Sequence, residues 1–344
     1  MALEGVRPVH ARAPIRLDLA GGWTDVPPFS AQEGGAVVNV AINRYCYVTA
    51  RRRERGIVLR SLDFDVSAEA ARLDELPASG ALELLRASLL VAAEHGLAVG
   101  NEVGIELTVR TDAPPGSGTG SSAAVGVALA GAIAAALGEP LAAHEAALRA
   151  IRAERAFLKV AGGTQDQYAA AHGGASYMTF HDPVVHVSRL PLKPATVAEL
   201  ERRLVLVYTG VSRVSGDIAT NVMAAYEAGT PQTVDALRTL RRLAGDAKRA
   251  LLIGDVDAVG EILEENWRCQ RDLHPSVTNA EIEALYETAR RAGALGGKAL
   301  GAGGGGCLLF LADESAEHGV RRALVDAGAQ ALDFGVQAQG LLTW

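Results

Sequence analysis

Apolar and polar positions alternate strictly over 103–110: Val103, Ile105, Leu107 and Val109 take one face and Gly104, Glu106, Thr108 and Arg110 the other. This is the period of a half-buried strand. The N-terminal part also reads mainly as strands. Val37, Val38, Val40 and Ile42 form one β-rich run, and residues 45–49 form a second beyond a turn-like Asn43-Arg44. Between these strands, Leu82, Leu85, Leu89 and Ala92 recur at helical spacing and predict a helix over 81–95. Helices are expected over 121–137 and 141–160, then strands over 175–180 and 184–190. Pro191 and Pro194 interrupt the pattern before a new strand at 203–208, which places a domain boundary near 190–200 and units of 1–192 and 193–344. The second unit reads as mostly helical over 217–292. A glycine cluster at 301–306 then runs into a strand at 307–311, followed by a helix over 315–326 and a last strand around Leu341. The alanine content falls in the helical stretches, where alanine has the best propensity.

A length of 344 residues agrees with that division, since domains usually hold about 100 to 200 residues. With 49% hydrophobic and 21% charged residues, the chain can bury a large core. Lys and Arg number 33 against 40 Asp and Glu, a net charge of -7 that argues against nucleic acid as a partner. Cys46, Cys269 and Cys307 lack C-x-x-C spacing and fit a reducing compartment, not a disulfide scaffold or a cysteine-rich zinc site. The first residues have no apolar signal-like run. The most apolar stretch, 123–137, is shorter than the roughly 18 to 20 residues that span a bilayer. A soluble cytoplasmic protein without membrane partners, monomeric or homodimeric, is the expectation.

The strongest local signal is Thr111-Asp112-Ala113-Pro114-Pro115-Gly116-Ser117-Gly118-Thr119-Gly120, leading into the helix at Ser121. Glycine at 116, 118 and 120 lets backbone N–H groups turn inward at angles that other residues resist. The helix adds free N–H groups and a positive pole that suit a phosphate. Ser121 or Ser122 can cap it, and a hydroxyl there can also reach a magnesium ion. A flexible turn with an ordinary serine cap is the plainer alternative. No Walker A sequence occurs. Gly118, Gly120 and Ala123 match the looser dinucleotide fingerprint G-x-G-x-x-[GA], but that unit needs a strand after the helix and an acidic residue about 20 positions on. Here a second helix follows, with Glu139 in the turn between, so an NAD-dependent dehydrogenase is a remote alternative.

Two other segments carry candidate charges. Glu154 falls late in the amphipathic helix over 141–160, and Asp166 follows the turn Gly162-Gly163-Thr164-Gln165. A carboxylate at such a turn can be held rigidly toward a cleft. Equally, Asp166 can cap a helix while Glu154 is a solvated charge. Arg16 and Asp18 share one face of a strand that ends at Gly21-Gly22, with Asp25 just beyond and before Pro27-Pro28. An exposed edge strand would explain those charges as well.

In this order the segments resemble the motifs of the GHMP kinases, across nearly the whole chain. The first motif is similar to residues 14–25, the second to 115–123 (PGSGTGSSA), the third to 301–307 (GAGGGGC). The resemblance implies an α+β fold, with an N-terminal α/β domain of the ribosomal protein S5 domain 2-like type beside a C-terminal ferredoxin-like domain. It also implies transfer of the γ-phosphoryl group of ATP to a small-molecule hydroxyl, with Mg²⁺. Pro115, Gly116, Ser117, Gly118, Thr119, Gly120, Ser121 and Ser122 would wrap the triphosphate with Gly304, and Ser122 and Glu154 would hold the metal. Asp166 would be the base. Arg16 would lie beside it, lower its pKa and keep it ionised. Asp25, Gly163 and Gly303 would bind the substrate.

Galactokinases carry a Glu-His pair where this chain has Gly22 and Trp23, which argues against galactose. The form AGG-W-TD, the segment Tyr208-Thr209-Gly210-Val211-Ser212-Arg213 and Glu265-Asn266-Trp267 are similar to the sugar 1-kinases, among them the D-glycero-D-manno-heptose 7-phosphate kinases and the fucokinases. Compact length and the run at 43–48 favour the heptose type; Trp23 with Pro27-Pro28 favours the fucokinases. A heptose 7-phosphate would need a second cationic pocket, for which Lys159, Arg213 and Lys298 are candidates. Arg51-Arg52-Arg53 reads instead as a solvated strand end.

Overall fold

The computed structural model describes residues 7–97, 99, 103–160, 162–211 and 215–344. In chain order come β1 (Val9–Ala20), α1 (Phe29–Gln32), β2 (Gly35–Arg53), β3 (Ile57–Ser61), β4 (Val66–Ala70), α2 (Glu83–Glu94), β5 (Gly104–Thr111) and α3 (Ser121–Ala136). Next are α4 (Ala143–Arg152), α5 (Gln165–His172), β6 (Ala175–His181), β7 (Val184–Arg189), α6 (Pro194–Arg203) and β8 (Leu204–Tyr208). The helices α7 (Ser215–Glu227), α8 (Pro231–Ile253), α9 (Val256–Leu273) and α10 (Ala280–Arg291) precede β9 (Ala294–Ala299) and β10 (Cys307–Ala312). Finally come α11 (Glu317–Asp326), β11 (Gln330–Ala331) and β12 (Leu342–Thr343).

Two sheets result. The first has eight strands in the order β12-β1-β2-β5-β3-β4, with β6 on β2 and β7 on β6. The second has four strands, ordered β11-β8-β10-β9 and paired antiparallel throughout. Its sequence of strand, helices, two strands, helix and strand is the ferredoxin-like arrangement.

The expected turn at Asn43-Arg44 is not a turn. β2 is continuous, and these residues bulge from it: Pro14 pairs with Tyr45 and Ile15 with Ile42, so 43 and 44 have no partner on β1. The bulge faces the C-terminal segment. Asn43 Oδ1 accepts from the Gly335 N–H at 2.7 Å, and Arg44 Nε donates to Asp333 O at 2.7 Å. From there the chain returns to the first sheet, where β12 pairs with β1.

α3 is apolar all round and is buried among the first sheet and neighbouring helices. Small residues bring its neighbours close: a Cβ on Gly126 would stand 3.2 Å from Ala150 Cβ, and one on Gly131 2.9 Å from Leu341 Cδ2. Alanine therefore serves close packing as well as helix propensity. Strands β8 and β10 are buried on both faces. Leu204, Leu206, Leu309 and Leu311 join the core of the first sheet, which also takes in α8 and α9. The alternate residues Val205, Val207, Leu308 and Phe310 join a second core with α7, α10 and α11. The two sheets thus share apolar packing. Among the described residues no helix is long and apolar enough to cross a membrane.

β9 lies hard against α9. A Cβ on Gly296 would stand 2.1 Å from Gly260 O and 2.9 Å from Glu264 N, both backbone atoms of the helix. Gly296→Ala is expected to cost about 2–3 kcal/mol of stability by overpacking, read as a lower urea midpoint. An unchanged midpoint would show that α9 can move aside.

Candidate active site

β1 puts Arg16 and Asp18 on one face, yet it is no exposed edge: β12 and β2 flank it, and the two residues are 4% and 2% exposed. Arg16 Nε donates to Asp166 Oδ1 and Nη2 to Asp166 Oδ2, both at 2.8 Å, a bidentate fork. Its third nitrogen, Nη1, donates to Gly118 O at 2.8 Å, and its backbone N–H to Thr119 O at 3.1 Å. One side chain therefore holds both the glycine loop and the carboxylate. Asp166, in the first turn of α5, is not capping that helix; it shows a quarter of its side chain to the cleft. Burial pushes its carboxyl above the ordinary range, although the Arg16 guanidinium opposes the shift. Arg16 does lower the Asp166 pKa as expected, but desolvation outweighs it.

Gly116, Gly118 and Gly120 have φ of +67°, +73° and +76°, the left-handed region that favours glycine. A Cβ on Gly120 would meet Asp166 Oδ2 at 3.0 Å, so the loop and the carboxylate are in contact. The second glycine stretch locks against the first. A Cβ on Gly118 would stand 2.5 Å from Leu300 O, and Cys307 N–H donates to Ser117 O at 2.8 Å. Ser117 and Thr119 are buried with their hydroxyls 2.6 Å apart, stiffening the underside of the loop; Pro115 O accepts from Tyr208 Oη at 3.4 Å.

No serine caps α3. Its N-cap is Gly120, without a side-chain cap bond, and its first backbone bond is Ala124 N–H to Gly120 O at 3.0 Å. The N–H groups of Ser121, Ser122 and Ala123 have no partner within the helix. Ser122 Oγ instead donates to Glu154 Oε1 at 3.1 Å.

Glu154 lies where the expected helix over 141–160 changes character. α4 widens into a π turn, Ala153–Leu158, closed by Lys159 at φ +57°. Such turns occur frequently at functional sites. Glu154 is partly buried, not a solvated charge, and its Oε2 accepts from Gln167 Nε2. Burial, with Asp166 nearby, pushes its carboxyl up to about 7. Asp25 Oδ2 accepts from Gln165 N–H at 3.1 Å, and burial, then Asp166 and Asp18, push its carboxyl up to about 6. Gly163 leaves the room: a Cβ there would stand 1.8 Å from Asp25 Oδ2.

Arg16, Asp25, Gly118, Ser122, Glu154 and Asp166 thus line one cleft. Gly303 and Gly304 do not. A Cβ on Gly303 would stand 2.2 Å from Val277 O, while Gly304 donates its N–H to Val277 O at 2.7 Å and accepts from Asn279 Nδ2 at 3.1 Å. The backbone groups of Gly304 thus shape the loop, and Gly303 packs against Val277.

Asp18 escaped the sequence reading as a cleft residue. Its Oδ2 is 2.7 Å from Lys298 Nζ, its Oδ1 has no partner among the described residues, and it lines the cleft. Lys298 is completely buried, which lowers its pKa against the pull of Asp18, so it is no phosphate-pocket residue. The available signal was a single lysine in an otherwise apolar and glycine strand. Gln167 was also missed, and Trp23 lines the cleft with φ +81° and a buried Nε1 that has no partner among the described residues. Lys159 is exposed beside the cleft, whereas Arg213 lies outside the described residues.

Known proteins resemble this chain along its length. The GHMP kinases N terminal domain matches residues 81–174 and the GHMP kinases C terminal domain 247–330. A D-glycero-alpha-D-manno-heptose 7-phosphate kinase of Campylobacter jejuni is 31% identical over 98% of this chain and 99% of its own. A bifunctional fucokinase/GDP-fucose pyrophosphorylase of Arabidopsis thaliana is 28% identical over 90% of this chain and 30% of its own. The crystal structure of a D-glycero-D-manno-heptose 1-phosphate kinase from Bacteroides thetaiotaomicron superposes with a TM-score of 0.80 at 30% identity, covering 98% of each chain. With the three motif segments folded around one cleft, the chain belongs to the GHMP kinases and is an ATP-dependent sugar kinase.

Proposed function

We propose that the acceptor is the anomeric hydroxyl of D-glycero-D-manno-heptose 7-phosphate and that Asp166 is the base. The observation that carries the chemistry is the contact of Asp166 with the loop at Gly120, both held by Arg16. The similarity to the Campylobacter jejuni enzyme supports the heptose. Fucose is the second reading, supported by the similarity to the Arabidopsis thaliana protein.

In this scheme Asp166 takes the proton of the anomeric hydroxyl while that oxygen bonds to the γ-phosphorus. The bond from the γ-phosphorus to the bridging oxygen breaks, and ADP leaves. Phosphoryl transfer depends on position and charge neutralisation more than on covalent help. The glycine loop and the open N–H groups at the start of α3 supply donors for phosphate oxygens. Arg16 fixes the base and adds positive charge beside the transferring group. Asp25, on the far side of Gly163, accepts sugar hydroxyls. A pKa raised toward working pH makes Asp166 a better proton acceptor.

Ser122 and Glu154 suit Mg²⁺. Both offer hard oxygen atoms, and Glu154 carries a raised pKa that a cation would reverse. When bound, Mg²⁺ would neutralise charge on the β- and γ-phosphates.

Asp166→Asn should lower kcat about 10²- to 10⁴-fold with little change in sugar KM, measured by sugar-dependent ADP release. Equal turnover by the variant would remove Asp166 as base. Ser122→Ala should raise the KM for Mg-ATP about tenfold and leave sugar KM near wild type; a matching rise in both would contradict a role at the metal.

Glu154 gives a pH test. Burial raises the pKa of its carboxyl to about 7 when folded, against 4.5 for an ordinary glutamate. As pH rises between those values the unfolded chain releases the proton first, so stability falls. Glu154→Gln removes that penalty, worth about 1–2 kcal/mol once partial solvent contact is allowed for. Melting should match wild type near pH 5 and rise above it at pH 8. Mg²⁺ alone at pH 8 should then raise the Tm of wild type and not of the variant. Identical melting curves at both pH values would refute the buried-charge account.

A further inference from the structure

The inner cleft is poorly suited to a second phosphate. Asp18, Asp25, Glu154 and Asp166 all line it. The two nearby cations are engaged, Arg16 with Asp166 and Lys298 with Asp18. Immediately outside lies a separate hollow that shares Val160 and Gly162 with the cleft and is lined also by Pro27, Arg155 and Lys159. Both of its charged lining residues are cations. Arg155 Nη1 is anchored by Asp182 Oδ1 at 3.1 Å, while its Nη2 is buried with no partner among the described residues. Lys159 ends the π turn in a left-handed conformation, exposed, with no ion pair among the described residues. The anchored guanidinium and the free ammonium line one space. A phosphomonoester accepts hydrogen bonds from both types of group.

We propose that this hollow is the subsite for a phosphomonoester at the far end of the acceptor sugar, so that the enzyme selects a sugar already phosphorylated. The inference deepens the heptose 7-phosphate reading and rests on it. The anomeric oxygen is on C1 and the phosphate on C7, several bonds away on the side chain of the ring, which calls for a cationic space adjoining the Asp166 cleft. Arg155 and Lys159 sit on the same π turn as Glu154, so filling the subsite also braces the turn that carries that carboxylate.

The test is a ratio: kcat/KM for D-glycero-D-manno-heptose 7-phosphate over that for the unphosphorylated heptose, by ADP release. A general loss of folding lowers both terms and leaves the ratio standing. Wild type should prefer the phosphate by about 100-fold, and Arg155→Met with Lys159→Met should bring the ratio below about fivefold. Lys159→Glu alone keeps the Arg155–Asp182 bridge and should lower the ratio at least about tenfold. Inorganic phosphate should inhibit wild type competitively against the sugar phosphate, and the double variant about tenfold less. A wild-type preference that survives both variants overturns the subsite and leaves the heptose reading intact. Turnover of fucose with neither heptose accepted overturns both, while the kinase assignment stands.

Discussion

Arg16 is the contact on which the cleft depends. Its guanidinium is almost wholly buried, and its hydrogen-bond partners among the described residues come from segments distant in sequence: Gly118 is 102 positions away and Asp166 150. A buried guanidinium without partners would be strongly destabilising. The strand, the loop and the start of α5 therefore have to close together. The glycines follow from that closure. Gly118 presents a carbonyl to Arg16 while its Cα backs onto Leu300 O, and Gly120 leaves the space that the Asp166 carboxylate occupies. Local flexibility is beside the point here: these residues are small because three backbones meet.

The same closure concentrates negative charge. Burial raises the pKa of Asp25, Glu154 and Asp166, and the carboxylates raise one another further. Such a constellation opposes stability at neutral pH, and residues that violate local rules in this way are characteristic of functional sites. Its compensation lies in the packing beneath. β8 and β10 are buried on both faces, so the elements behind the cleft are held by two apolar cores. A rigid support lets the site keep charges that the folded state would otherwise relax or expel.

Much of this was legible in the sequence, for reasons that differ by residue. Glycine at alternate positions announces left-handed backbone, and all of Gly116, Gly118 and Gly120 adopt it. Alternation at 103–110 and the helical spacing of Leu82, Leu85 and Leu89 gave β5 and α2 nearly to their ends. Local pattern failed where a distant segment decides. Asn43-Arg44 has turn composition, but the returning C-terminal segment takes its hydrogen bonds and makes it a bulge. The widening of α4 at Ala153 has no signature in side-chain period, since one extra residue per turn alters no composition. Lys298 was a candidate for a phosphate pocket because nothing local shows its partner; Asp18 lies 280 positions away. The lowering effect of Arg16 on Asp166 was legible, but the burial that outweighs it was not, since a sequence does not show burial.

Asp18 also gives a physical meaning to the departure at Gly22 and Trp23. Gly22 does not have the positive φ that would call for glycine, so conformation does not explain it. Space does: a Cβ on Gly22 would stand 2.1 Å from Asp18 Oδ2. The carboxylate of Asp18 fills the volume that any side chain at 22 would need, and Lys298 holds it there at 2.7 Å. An acidic residue at 22 is therefore incompatible with Asp18 in this position, and the two residues have to be read as one unit. The cleft still has a carboxylate on that wall, but it rises from the strand floor, and its Oδ1 has no partner among the described residues.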